Sequence, residues 1–270
     1  MGRSRWAVLA VLVLAACQQA QTEDVAAQTA AAPAASTPPA PPLPPASAKP
    51  AGAVDVAEKT DLYTFEYAYP AAAAAIPGVK AALDEDMASR RKFIADAARE
   101  SRDASRKDDF PFNPHDLILG WDVVAENARW LSLSAGFSTY TGGAHPNHGF
   151  DALLWDKRAG KMRDPMELFA SDKAFIAAVR ADFCKALDKE RAERREGEEM
   201  DGFDECVDPS ETVIILGSSN RQTFDRIGFL IAPYIAGPYV EGSYDVTLPV
   251  TPALLAKVKP GFRDSFSVAK

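Results

Sequence analysis

The chain has 270 residues, a formal net charge of −8 and a sequence pI of about 5.0. Nucleic acids and anionic lipid surfaces are negatively charged and repel so acidic a protein, so the composition argues against both as partners and favours a basic one. The length is sufficient for one domain with a substantial core.

The amino terminus combines positive charge with a short apolar run. Arg3 and Arg5 precede the apolar residues 6–14. A bilayer-spanning helix needs about 20 apolar residues, so this run predicts a secretory signal and not a membrane span. The run ends in LAAC at residues 14–17, which resembles the bacterial lipoprotein signal, where the cysteine thiol becomes lipidated.

We therefore predict a lipoprotein signal peptide over residues 1–16 and lipidation of Cys17, which would anchor the chain durably in a membrane. An ordinary signal peptide with an incidental cysteine is the alternative. Gln18 follows the cysteine and favours the outer over the inner membrane. The expected location is the periplasmic face of the cell envelope, and loss of the leader would make the mature chain still more acidic.

Residues 17–59 are predicted to be a tether behind the lipidated cysteine. The segment is rich in alanine and proline and contains almost no large apolar residue. Such a composition buries too little surface to offset the entropy of ordering, so we expect a disordered spacer. Residues 60–270 are then the folded domain, with a first half over 60–156 and a second half over 157–270.

The first half begins with an aromatic strand and a long helix. In residues 63–69 every second residue is tyrosine or phenylalanine, which predicts the buried face of a strand; an exposed aromatic binding stripe is the alternative. Apolar residues recur at helical spacing over 76–105 and predict a long amphipathic helix.

The period then changes from that of a helix to that of strands. Residues 117–125 and 129–141 flank a short turn, and in the second of these runs apolar side chains alternate with polar or small ones. Residues 150–156 are the expected third strand. This alternation predicts an antiparallel β-meander that has one face in contact with water.

The second half is predicted to begin with a helix and to continue with strands. Asp164, Pro165 and Glu167 suit the cap, the first position and the capping-box acid of a second long helix. Its charged continuation over 189–200 indicates solvated helix surface.

Three more strands are predicted over residues 212–216, 223–231 and 243–250, followed by a short helix capped at Thr251. Strands outnumber helices and do not alternate with them. The predicted fold is therefore α+β, a mainly antiparallel sheet packed with two long helices, as a single domain behind the tether.

Cys184 and Cys206 remain as an even pair once Cys17 is assigned to lipid. In an oxidising compartment such a pair predicts a disulfide, which would stabilise the fold by roughly 3 kcal/mol. Two separately buried thiols are the alternative.

Two of the three histidines lie in a glycine-rich segment between strands. His145 and His148, with Asp151 nearby, are weak candidates for a metal site, because a zinc site needs three or four converging ligands. His115 lies in a different predicted loop. We therefore predict no metal site here, and we expect the segment to be at least the turn of a hairpin.

Motifs for catalysis and cofactor binding are not found. The chain has no G-x-S-x-G elbow, no Ser–Lys spacing of the β-lactamase kind and no glycine-rich phosphate loop. The sequence therefore predicts no catalytic and no cofactor-binding residue.

Three short segments nevertheless resemble a known family. They are YTGGAHPN at residues 140–147, the Gly160-Lys161 turn with DPMELF at 164–169, and IGF at 227–229 followed by Tyr234 and AGPYVEG at 236–242. Together they are similar to a bacterial envelope domain family of unknown function. The family includes the extracytoplasmic, lysozyme-sensing domain of RsiV-type anti-sigma factors and the non-catalytic N-terminal module of PdaC-type deacetylases.

The resemblance covers residues 60–262 and implies a sensor-like binding module. We find neither a sigma-binding part nor a deacetylase domain beside it, so we expect the module alone. The candidate binding surface contains these residues: Tyr140, Thr141, Gly142, Gly143, His145, Asn147, His148, Tyr234 and Tyr239.

The expected partners are a basic envelope protein such as lysozyme, or peptidoglycan, besides the membrane reached through the N-terminal lipid. Two alternatives stay open. One is a cell-wall hydrolase, deacetylase or metal-binding protein that uses His145 or His148. The other is a scaffold without a ligand.

Overall fold

The structure is a computed structural model that describes residues 52–198 and 200–269. These residues belong to one compact unit, Ala46–Lys270. The predicted signal peptide, the lipidation of Cys17 and the tether up to residue 51 lie outside the described residues. Within the described ranges, every helix is too short or too polar to cross a bilayer.

Within the described residues, nine strands form two sheets. The strands are β1 Val54–Lys59, β2 Tyr63–Tyr69, β3 His115–Glu126, β4 Trp130–Tyr140, β5 Asn147–Asp156, β6 Lys161–Arg163, β7 Val213–Gly217, β8 Arg226–Ile231 and β9 Tyr244–Pro249. The first sheet has the order β1-β2-β3-β4-β5-β6 and the second the order β7-β8-β9. All neighbours are antiparallel except β2 and β3, which run parallel.

The helices separate groups of consecutive strands and do not alternate with single strands, as expected for the predicted α+β fold. They are α1 Ala71–Ala74, α2 Pro77–Lys107, α3 Asp172–Arg194 and α4 Pro252–Leu255. The long helix α2 connects β2 to β3, and a crossover of this length is what a parallel pair requires. The predicted fold class is confirmed, with the addition of the second sheet.

Two hydrophobic cores share the first sheet. One core joins α2 to the face of the sheet that carries Phe65, Tyr67 and Tyr69, so the aromatic strand is buried as predicted. The other core joins α3 and the second sheet to the opposite face, where Trp130 and Leu154 lie. The first residues of β4 and the last of β5 are therefore buried on both faces.

The other end of the β4–β5 hairpin extends away from these buried residues. Most residues from Gly136 to Tyr140 and from Asn147 to Phe150 are half-buried or exposed. This end of the hairpin carries the loop with the two histidines.

Two predicted boundaries are wrong. The tether does not extend to residue 59, because β1 pairs with β2 along its whole length and places Val54 and Val56 against the first core. The second long helix does not begin at Asp164. That residue caps a short 3-10 helix, Pro165–Leu168, and Ser171 caps α3 by accepting a hydrogen bond from the Ala174 amide.

Candidate functional site

The loop at the tip of the β4–β5 hairpin reverses the chain through two glycines. Gly142 and Gly143 both have φ of +102°, a region that glycine adopts without a steric penalty. The Tyr140 hydroxyl donates a 3.1 Å hydrogen bond to the Gly143 carbonyl oxygen. Thr141 and Asn147 are exposed at the two ends of the loop. The prediction of a tight glycine-dependent turn is therefore confirmed.

The two histidines of this loop contact two tyrosines from the far end of the sequence. The ring of His145 stacks on that of Tyr239 with centroids 3.7 Å apart, and its Nε2 lies 3.1 Å from the Tyr234 hydroxyl. His148 Nε2 lies 3.1 Å from the Tyr239 hydroxyl. We call these four residues the histidine–tyrosine surface.

The tyrosines project from the segment between β8 and β9. Tyr234 has φ of +71°, and its amide donates to the Gly237 carbonyl oxygen across a tight turn. Tyr239 begins a short 3-10 helix, Tyr239–Glu241. Tyr234 is 56% exposed and Val240 is 88% exposed, so apolar groups of this segment face solvent.

A nearly buried ion pair fixes this segment to the end of α3. Arg195 donates from Nε and Nη2 to the two oxygens of Glu241, at 2.7 and 3.0 Å. The side chains are only 5% and 9% exposed. The Tyr244 hydroxyl also donates to Glu241, and the bonds from Arg195 and then Tyr244 lower the pKa of that carboxyl despite burial. A side chain at position 237 would collide with the Glu241 carboxylate and displace it from its partners.

Two more arginines of α3 bind the backbone of the same segment. Arg191 is 4% exposed and donates from Nε to the Ala236 carbonyl oxygen at 2.9 Å. Arg194 donates to the carbonyl oxygens of Glu241 and Ser243. The prediction that this charged tract is solvated helix surface is therefore wrong for Arg191 and Arg195, which position the tyrosines.

The disulfide joins Cys184 of α3 to Cys206, with Cα atoms 5.4 Å apart. The predicted pairing is thus present in the structure. Arg191 Nη1 donates to the carbonyl oxygen of Glu205, the residue before Cys206. The disulfide and the arginines therefore fix the same side of α3.

One acidic residue near the surface was missed by the sequence analysis. Asp116 of β3 lies on the same face of the sheet as His148, opposite Tyr140 of β4. Burial raises the pKa of the Asp116 carboxyl, and the charges of His115 and His148 partly oppose the rise. Ile118 lies two positions after Asp116 on β3, on the same face of the sheet. It is 43% exposed and extends the surface with an apolar side chain.

The third weak metal candidate is not beside the histidines. Asp151 lies three positions after His148 on β5, so its side chain points to the opposite face of the sheet. There Arg90 of α2 donates a 2.6 Å hydrogen bond to it. Across residues 52–198 and 200–269, no three histidine, cysteine or acidic side chains converge as metal ligands would.

Residues 56–148 match the family model of the deacetylase PdaC. The predicted resemblance to PdaC is confirmed. No curated protein matches the chain.

Two solved structures of the DUF3298 family are similar to this chain. One, from Pseudomonas aeruginosa PAO1, is 14% identical, with a TM-score of 0.51 over 85% of this chain and 99% of the other. The other, from Bacteroides fragilis NCTC 9343, is 15% identical, with a TM-score of 0.46 over 73% of this chain and 89% of the other. At this identity, the first likeness supports the fold alone.

The PdaC-like match ends at His148. It therefore contains the hairpin loop and both histidines of the surface, whereas Tyr234 and Tyr239 come from residues beyond it. The surface is thus assembled from both halves of the domain.

The remaining histidine of the PdaC-like region, His115, is the first residue of β3 and not part of a loop. It is 2% exposed, lies beside Phe112, and neither ring nitrogen has a hydrogen-bond partner among the described residues. Burial lowers the pKa of His115, an effect that Asp116 partly opposes. We interpret it as a core residue whose burial favours the neutral imidazole.

This burial predicts a loss of stability in acid. The unfolded chain binds a proton at His115 near pH 6.5, whereas the folded chain binds it only at lower pH. The stability that comes from the neutral, buried His115 is therefore complete above pH 6.5 and is lost as the pH falls below 6.5. We expect the loss to reach at most about 1.4 kcal/mol per pH unit. Urea unfolding at pH 7 and pH 5 measures it. His115→Phe should reduce the difference between the two values, and an unchanged difference would contradict this role.

Proposed function

We propose that this chain is a lipid-anchored envelope protein that binds a partner through the histidine–tyrosine surface and does not transform it chemically. The observation that carries the proposal is a pair of tyrosine rings, one exposed and one half-buried, on a segment fixed by buried arginines. The PdaC resemblance agrees with an envelope-associated domain of unknown function. Anchoring through Cys17 is a separate part of the proposal, tested by the mass of the mature N-terminal peptide.

Physical chemistry favours such a surface for binding. Tyrosine offers a large apolar ring and a polar hydroxyl, and it is enriched among the residues that contribute most to interfaces. Tyr234 and Tyr239 already contact His145, so little side-chain entropy remains to be lost on association.

The charge of the chain indicates the kind of partner. A formal net charge of −8 attracts basic proteins, and Asp116 adds a carboxyl beside the surface. A basic muramidase such as lysozyme fits this charge and the resemblance to lysozyme-sensing domains. Electrostatic attraction would mainly raise the association rate and make binding sensitive to salt.

Replacing Tyr239 with alanine tests the surface directly. The change removes the ring that stacks on His145 and the hydroxyl that contacts His148. We expect the dissociation constant for lysozyme to rise at least about tenfold, the usual effect of losing a central aromatic residue. Calorimetry of the purified chain against lysozyme at low and moderate salt measures it.

Phe93→Ala is the matched control. Phe93 is 54% exposed on α2, which packs against the opposite face of the sheet. The Phe93→Ala variant should leave the affinity for lysozyme unchanged. No heat of binding at either salt concentration would refute lysozyme as the partner, and equal effects of the two variants would refute the surface.

A further inference from the structure

A cleft on the other side of the hairpin has no role in the function proposed above. It lies between α2 and strands β3, β5 and β6, with a cavity volume of about 270 Å³. Leu83, Trp121 and Leu153 form its apolar floor. Met162 of the edge strand β6 is 53% exposed at its rim. The cleft therefore has an apolar base and one adaptable wall, because methionine is flexible and polarizable.

Charged side chains form one end of this cleft. Arg90 donates from Nε to both oxygens of Asp86, at 3.0 and 2.9 Å, and from Nη2 to Asp151 at 2.6 Å. Asp86 also accepts a hydrogen bond from the hydroxyl of Tyr67, and the Trp121 indole N–H donates to that hydroxyl. Asp86 is therefore held in place by a buried network that reaches the floor of the cleft.

Asp151 has fewer partners than Asp86. Its only hydrogen-bond donor in the described part of the chain is Arg90. Burial raises the pKa of the Asp151 carboxyl, and the nearby Arg90 opposes the rise without cancelling it. Two carboxylates share one guanidinium here, so the cleft has an excess of negative charge that a cation would neutralise.

We propose that this cleft binds an alkylammonium group, the chemical group shared by a lysine side chain and a free diamine. The ammonium donates to Asp151, and the alkyl chain lies over Trp121 under Met162. Binding becomes weaker as the pH falls, because a protonated Asp151 loses its negative charge. The site is separate from the histidine–tyrosine surface, since Asp151 and His148 point to opposite faces of β5.

Titration of the purified chain with cadaverine, followed by NMR at the Trp121 indole N–H, tests the proposal. For a ligand of this size we expect a saturable shift with a dissociation constant of about millimolar. Asp151→Asn keeps the shape, removes the charge and should raise that constant at least about tenfold. Asp84→Asn is the matched control on the same helix, because Asp84 accepts from Tyr69 outside the cleft and should leave the constant unchanged.

A second variant tests the cleft without changing the hydrogen bonds among Asp86, Arg90 and Asp151. Met162→Lys places an ammonium group on the exposed edge strand and should prevent binding by occupying the cleft. Pentanol, which has the chain without the charge, should bind much more weakly than cadaverine. No saturable shift, equal binding of pentanol, or equal binding by Asp151→Asn would overturn the proposal.

A titration with Nα-acetyl-lysine amide identifies the source of the group. Binding of both probes supports a lysine side chain of another protein as the occupant. Binding of cadaverine alone supports a free amine.

Discussion

Replacing Arg195 with methionine is expected to lower the free energy of unfolding by roughly 3 kcal/mol. The guanidinium donates two hydrogen bonds to Glu241, and both side chains are almost fully covered. Methionine fills a similar volume and leaves the carboxylate of Glu241 without its cationic partner. Breaking a buried pair in this way is costly because the remaining charge stays away from water.

The same variant should also weaken partner binding. Glu241 ends the short helix that begins at Tyr239, so the loss of Arg195 releases the segment that carries both tyrosines. Urea unfolding and calorimetry together measure the two effects. Lys189→Met is the control, because Lys189 lies on α3 with an exposed side chain that pairs with the exposed Glu193. An unchanged unfolding free energy for Arg195→Met would show that the ion pair does not fix the segment.

Removing the disulfide is expected to have an effect of similar size. Cys184 and Cys206 are 22 residues apart, and opening a loop of this length costs about 3 kcal/mol in the chain-entropy model. For a domain of this size that corresponds to a fall in melting temperature of roughly 6–12 °C. Differential scanning calorimetry of the double variant Cys184→Ser with Cys206→Ser measures this fall in melting temperature.

The unsubstituted chain in reductant is the control for that experiment. It should melt at the temperature of the double variant, since both lack the same covalent bond. A double variant that melts with the oxidised chain would show that the bond adds no stability. If the reduced chain melts well above the double variant, the serine side chains, and not the missing disulfide, cause the loss of stability.

The elements of the fold were predictable because their signals are local. Alternation in residues 63–69 and 129–141 and helical spacing in 76–105 correspond to β2, β4 and α2. The choice of neighbours was not predictable in the same way. Nothing within β2 or β3 indicates that the two pair in parallel, because that pairing depends on how α2 crosses the sheet.

The buried arginines had a signal that the sequence analysis did not use. Buried residues recur at every fourth position of α3: Phe175, Val179, Phe183, Leu187 and Arg191. Arg195 is the next position of this series. An arginine that continues an apolar stripe faces the interior, and its charge then needs a buried partner, here the carboxylate of Glu241.

The histidine–tyrosine surface was predictable only in part. Resemblance placed the hairpin loop and the Tyr234–Tyr239 segment in one candidate set, but the sequence alone did not bring His145 against Tyr239. That contact depends on the packing of the second sheet and α3 against the first sheet. The metal candidate failed for a local reason, since Asp151 and His148 are an odd number of positions apart on one strand.

The uneven burial of the β4–β5 hairpin has a consequence for how the protein can evolve. Its root, at Trp130 and Leu154, is enclosed on both faces, so few substitutions there leave a folded chain. Its tip, at residues 141–144, is exposed and lies outside both cores, so insertions there cost the fold little, whereas Gly142 and Gly143 themselves have φ values that other residues adopt only with strain. Selection for a different partner can therefore act on the tip while the root preserves the architecture.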